Sequence, residues 1–310
     1  MKLCFLVCFL VCLVSLGCTA TSVPSEKLKK GVSVNHNYLE TALSKNKASS
    51  PVTLKKHISA KWEVDLEGLL DLTDEKAVAA GIENKMEPIE VSFYELNHEK
   101  FGSYIIDTGI AKKFFNDIEG YTNFGVRSAM PLEALDPAQF LGDWVENSGK
   151  DLKAVFLTHM HLDHISGLPD LDESIPIITG PNEPTNKNFL NLFVRGTIDA
   201  AVGENRKIYT LSFDGENYPV RILDFFGDGS FYIASVPGHT AGSLAFIVRA
   251  QDGDHLVTGD SCHTAWGWNN RVTPGKFTED KESNKKALTW LKELSGSNPE
   301  MAVHVGHQTL

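Results

Sequence analysis

THMHLDHISG, Thr158 to Gly167, places three histidines and an aspartate within six positions, directly behind the apolar run AVFL at 154–157. Imidazole and carboxylate groups at that density, where a strand leaves a core, are either a solvated loop or a set of metal ligands. On an extended backbone His159 and His161 point the same way, towards one ion, while Asp163 and His164 fall where the chain turns and can reach a second. The same form recurs downstream. GSFYIASVPGHTAGS delivers His239 behind an apolar strand, DHLVTGD delivers Asp260, and PEMAVHVGH delivers His307. Four strand ends thus supply seven candidate ligands: His159, His161, Asp163, His164, His239, Asp260 and His307. Nitrogen and oxygen donors in this number suit two divalent ions sharing a carboxylate. Zinc is the first expectation; manganese and iron accept the same donors.

Working outward, EVSFYELNHEKFGSYIIDTG reads as a hairpin ending at Asp107-Thr108-Gly109. DLKAVFL and IPIIT read as short buried strands, and Phe231–Val236 and Ser243–Arg249 as two more, broken at PGHTAG. A helix is expected from about Glu279 to Leu294, with Thr278 as its cap and Gly296 as its stop. Strands with helices between them indicate an α/β layered architecture. Residues 19–85 read as a polar lead-in or tether, and residues 86–310 as the folded domain.

At 310 residues the chain can bury a sizeable core. Its 29 basic against 40 acidic residues leave a net charge of −11, which argues against nucleic acid or an anionic membrane bound through a basic surface; the expected partner is a small-molecule substrate. MKLCFLVCFLVCLVSLGC has one Lys before a short apolar stretch and reads as an export signal over residues 1–18. SLGC resembles a bacterial lipoprotein cleavage box, so the expected location is periplasmic, secreted, or membrane-held through a lipid on Cys18. With the signal removed, Cys262 is the only thiol in the folded part and no internal disulfide is expected.

THMHLDHISGL, PGHTAGS, TGD, VGH and the early IIDTG, in this order, resemble the successive motifs of the metallo-β-lactamase superfamily. The likeness runs from about residue 88 to the C-terminus. It implies a four-layer αββα sandwich with a binuclear site at one edge of two sheets. Carried over by position, His159, His161 and His239 would hold one ion, Asp163, His164 and His307 the other, and Asp260 would bridge them. Zinc β-lactamases lack that bridging Asp, and glyoxalase II enzymes extend further after the last His. The pattern therefore resembles most the lactonase-like branch, which includes acyl-homoserine lactonases. Those carry a Tyr three residues after the bridging Asp, where this chain has His263.

The resemblance implies hydrolysis of an ester or lactone by a water-derived nucleophile activated between two ions, with Asp163 orienting it. An amide leaving group would also need a proton donor, for which His263 is the available candidate, and His263 reads equally as a substrate contact or as a support of the metal shell. β-Lactam or thioester hydrolysis is the alternative within the fold, and a non-catalytic zinc-binding module the alternative outside catalysis. A structural site is closed by four ligands and has no use for a bridging pair, which argues against the module. Of the other polar residues, His304 reads as packed beside the site, Cys262 as a small buried neighbour and Asp107 as a buttress of the metal loop. Trp266 and Trp268 read as either substrate wall or core. His36, His57, His98 and His255 fall outside every motif and read as solvated.

Overall fold

Successive residues of a strand face opposite sides of a sheet, and here the two sides enter different cores. In Gly102–Ile106, Ile105 packs among Ile89, Val155 and Leu141, while Tyr104 and Ile106 pack among Phe156, Phe225 and Phe246. The protein is described by a computed structural model covering residues 18–45, 50–214 and 220–310. One sheet has eight strands, in the order Ser25–Leu28, Ile208–Leu211, Ile177–Thr179, Leu152–Phe156, Gly102–Ile106, Met86–His98, Val52–Asp65 and Asp136–Pro137. The other has six, in the order Ala302–His304, Gly253–Val257, Leu244–Ala250, Phe231–Ser235, Arg221–Asp224 and Val32–Val34. A third, two-stranded pairing joins Cys18–Thr19 to Lys187–Asn188.

The two large sheets meet across a core rich in Phe, and each packs helices on its outer side. Leu141, Trp144, Ile165 and Ile198 cover the first sheet; Leu39, Leu288, Leu291 and Leu294 cover the second. Helix, sheet, sheet, helix is the four-layer sandwich that the motifs implied. The hairpin at 86–106 is present, with Tyr94 opposite Ile106. Arg206 fastens the first sheet's helical layer, its buried guanidinium donating to the carbonyls of Leu168, Leu171, Asp172, Ile175 and Val202.

Three expectations need correction. The polar lead-in over 19–85 is not a tether: it contributes one strand of the six-stranded sheet and two of the eight-stranded one, including the 14-residue strand Val52–Asp65. In that strand buried Val52, Leu54, Ala60 and Trp62 are interleaved with lysines, so average polarity conceals a period-two pattern. The expected export signal lies outside the described residues except for Cys18. The long helix runs Lys281–Ser297; Asp280, not Thr278, caps it, accepting from Ser283 N at 3.0 Å, and the helix continues through Gly296. Finally, the four histidines read as solvated all have partners. His36 bonds Val220 O and Trp290, His57 lies between Gln139 and Glu95, His98 meets Asp228 at 2.8 Å, and His255 meets His304 and Asp252.

Candidate metal centre

Each motif sits in a loop at one end of a strand, and adjacent strands bring those ends together. Leu244 N donates to Thr158 O at 2.8 Å, stitching the THMHLDH loop of the first sheet to the second. Parallel pairing of Gly253–Val257 with Ala302–His304 sets the Asp260 and His307 loops side by side. Two glycines make the approach feasible. Gly259 has φ +51°, and a Cβ there would lie 2.9 Å from that of Thr158; a Cβ on Gly306 would lie 2.3 Å from Asp260 Oδ1. The long helix braces the other side: Glu279 N donates to His239 O, Asp280 N to Gly238 O, and Asn284 Nδ2 to Ser261 O.

The seven side chains expected as ligands gather in one place. His159, His161, His239 and Asp260 form one group and Asp163, His164, Asp260 and His307 another; within each group the potential ligand atoms lie within 4.8 Å of one another. Asp260 belongs to both. Its Oδ2 lies 3.7 Å from His159 Nε2, 3.5 Å from His239 Nε2, 3.3 Å from His164 Nε2 and 3.2 Å from His307 Nε2.

The imidazoles are aimed from behind. His164 Nδ1 meets Asp107 Oδ2 at 2.8 Å, His307 Nδ1 meets Glu90 O at 3.0 Å, His239 Nδ1 meets Thr278 Oγ1 at 3.2 Å, and His159 Nδ1 meets Thr158 Oγ1 at 3.1 Å. Each outer bond directs the Nε2 lone pair inward. His161 Nδ1 and His239 Nε2 converge to 2.9 Å. Asp107, held at φ +55°, accepts from Thr158 N at 2.8 Å as well as from His164, and so fixes the start of the metal loop.

Electrostatics agree with a cation-binding cluster. Burial pushes the Asp260 carboxyl up, but the facing imidazoles of His307, His164, His263 and His159 outweigh it and hold the group well below the usual carboxylate range. Burial lowers His161 to about 4 against the pull of Asp163 and Asp260. Burial would also lower His307, yet Asp260 and Asp163 raise it to about 10. Among the described residues, His159 Nε2, His164 Nε2 and Asp260 Oδ1 are buried with no hydrogen-bond partner. Orphaned buried polar atoms are costly, and a divalent cation among them satisfies donors that none of the described residues satisfies. The residues therefore fit the ions the motifs call for.

His263 is buried, its Nε2 3.0 Å from Asp260 Oδ2 and its ring between those of His239 and His307. Partial exposure within the cluster belongs instead to His161 and Asp163. Cys262 is buried and its thiol, pushed up to about 12 by burial, faces Thr264 O. His304 points to His255, away from the cluster. Trp268 is buried against the long helix and Trp266 packs on the first core, so both are core residues.

Glu183 was not singled out in the sequence. Fully enclosed, it accepts from Met160 N at 2.8 Å, Thr240 Oγ1 at 2.7 Å and Gly242 N at 2.9 Å, tying the His159/His161 loop to the His239 loop. Its only sequence signal is an acidic residue after a strand end, in GPNEP, which is common on surfaces.

The fold and its donor set are those of metal-dependent hydrolases. Residues 98–307 match the Metallo-beta-lactamase superfamily, and the chain belongs to that superfamily. It is 32% identical over 132 residues to the cytochrome P450 monooxygenase mpaDE of Penicillium roqueforti (strain FM164), covering 37% of this chain and 15% of that protein. It is 27% identical over 151 residues to the gamma-lactamase MBL2 of Gibberella moniliformis (strain M3125 / FGSC 7600), covering 47% and 63%. The chain therefore spans less than two thirds of the length of these curated relatives. Among solved structures, a quorum-quenching N-acyl homoserine lactone lactonase is similar with a TM-score of 0.58 at 18% identity, covering 84% of this chain and 94% of that one. AidC, a dizinc quorum-quenching lactonase in complex with a product, is similar at a TM-score of 0.54 and 13% identity, covering 91% and 92%. At these identities the likeness is one of fold.

Proposed function

We propose that the protein hydrolyses a carboxylic ester, preferentially a lactone, at a binuclear centre. The observation that supports it most is Asp260, whose carboxylate is shared by both donor groups; a single structural ion has no need of two clusters meeting on one oxygen. In this reading His159, His161 and His239 would hold one zinc ion and Asp163, His164 and His307 the other, with the Asp260 carboxylate within reach of both groups. When bound, the ions supply Lewis acidity and bring a water molecule's pKa towards neutrality.

The chain's own residues do the rest. Asp163 is partly exposed and its Oδ2 lies 3.2 Å from His307 Nε2, which leaves Oδ1 to orient the attacking water. Substrate approaches from the side of His161 and Asp163. His263 is buried with its Nε2 3.0 Å from Asp260 Oδ2 and supports that carboxylate instead of facing substrate. An amine leaving group needs a positioned proton donor, so this arrangement favours ester and lactone leaving groups, whose alkoxide takes its proton from water. The lactonases of similar fold and the gamma-lactamase relative are consistent with a cyclic substrate.

The test is metal analysis of the purified chain coupled to a screen of lactones, linear esters, thioesters, β-lactams and phosphodiesters. Close to two equivalents of metal with lactone turnover abolished by chelation is the expected result. One tightly held ion without turnover of any of these would overturn the proposal, and turnover confined to β-lactams or thioesters would replace its substrate.

A further inference from the structure

The largest exposed apolar side chains concentrate on two neighbouring helices, one of which packs against the helix Leu162–Ile165 that carries Asp163 and His164. Phe189 and Leu190 follow the short strand Lys187–Asn188, Leu192 and Phe193 open the helix Asn191–Val202, and Phe124 opens the helix Phe124–Ala129; Phe124 is 78% exposed, Phe189 61% and Phe193 53%. The Phe189 and Phe193 rings touch edge to face at 5.6 Å, and Asn123 Nδ2 donates to Phe193 O at 2.6 Å, which fixes the two helices beside each other. Scattered apolar residues on a surface need no explanation, but aromatic residues adjoining one another do.

The same elements receive the start of the described chain. Cys18 pairs with Asn188, the residue immediately before Phe189, and Asn191 Nδ2 donates to Cys18 O at 3.0 Å. Ser22 N and Oγ then donate to Asp199 further along the helix. Residues 3–14, LCFLVCFLVCLV, are an unbroken apolar run, and Cys18 lies four positions beyond Val14, with three residues between them. Such a stretch spans at most about 14 Å. Where that run is retained, or where Cys18 carries a lipid, the hydrophobic anchor leaves the fold within reach of the exposed aromatic residues.

We propose that this patch docks on the surface of a phospholipid bilayer, as a second contact beside the N-terminal anchor. A single acyl chain holds a protein only marginally, and an apolar contact next to any anchor converts tethering into a defined orientation. The net charge of −11 selects zwitterionic over anionic headgroups. Because Asn186 and Asn188, flanking the patch, also bond Glu279 at the edge of the His239 loop, docking sets the metal cluster at a fixed height over the membrane. The proposal does not depend on the hydrolase reading.

The experiment uses the full chain carrying Phe189→Trp, with the wild type as background, on phosphatidylcholine vesicles with and without brominated acyl chains. The five native tryptophans are buried or partly buried, so the added signal reports the patch. Brominated lipid is expected to quench that signal about twofold or more, and vesicles to shield it from aqueous iodide, while Val78→Trp, on the helix Glu75–Ala79, stays open to iodide. The double variant Phe124→Ser/Phe193→Ser should lower the vesicle partition coefficient about tenfold while retaining the wild-type circular dichroism. A vesicle-bound chain whose Phe189→Trp signal remains iodide-accessible would overturn docking and leave the anchor alone. Failure to bind vesicles, or shielding without vesicles in a chain that sediments as a dimer, would overturn it equally.

Discussion

Removing the Glu183 carboxylate should loosen both loops that form one half of the metal centre. Glu183→Ala strands the N–H groups of Met160 and Gly242, both buried, whereas Thr240 retains Ser243 Oγ at 2.8 Å. A buried donor left unmade costs about 1–3 kcal/mol, so two cost about 2–6 kcal/mol. Part of this is recovered, because burial already pushes the Glu183 carboxyl up and deleting it relieves that strain. A net loss of about 2–4 kcal/mol follows. Glu183→Gln keeps one acceptor and turns an amide N–H towards the remaining donor, so it should lose about half as much. Urea unfolding of the metal-stripped proteins measures the ladder wild type, Gln, Ala. Chelator competition on the loaded proteins should show affinity for one ion falling about 10- to 100-fold in Glu183→Ala, as partners behind metal ligands do. Both variants unfolding within about 0.5 kcal/mol of wild type, with unchanged chelator curves, would refute the bracing role.

Asp260→Asn, which keeps volume but removes the shared charge, should lower bound metal and hydrolysis together; turnover without metal would contradict the proposed centre. Arg206→Lys cannot reach five carbonyls from one ammonium, and stability should fall by about 2–4 kcal/mol in urea unfolding with the metal ligands untouched. His304 is lowered to about 4, first by burial and then by His255 and Lys56. Below pH 6.5 the unfolded chain takes up a proton that the folded chain refuses, so stability present above pH 6.5 is lost as pH falls towards 4. The loss attributable to this group is up to about 3 kcal/mol, and His304→Gln should flatten that part of a pH series of urea midpoints relative to wild type.

Read alone, the sequence carried the layered architecture because the strands that lead into the motifs are short, apolar and bounded by polar turns: Leu152–Phe156, Phe231–Ser235 and Leu244–Ala250 can hardly be anything else. It also carried the donor set, since imidazoles placed behind successive strands are conspicuous in one dimension. Legibility failed where polarity and burial part company. Val52–Asp65 hides its buried face among lysines, and His36, His57 and His98 are satisfied by partners tens to hundreds of positions away.

What only the tertiary structure decided is which groups stand behind the donors. Thr278 aims His239 instead of capping a helix, His263 stands buried beside Asp260, and Glu183 spans two loops that the chain order separates. Residue type and spacing are local properties, and they determined the chemistry on offer. The direction of each imidazole depends on bonds between segments brought together only when the two sheets pack, and no local pattern encodes those.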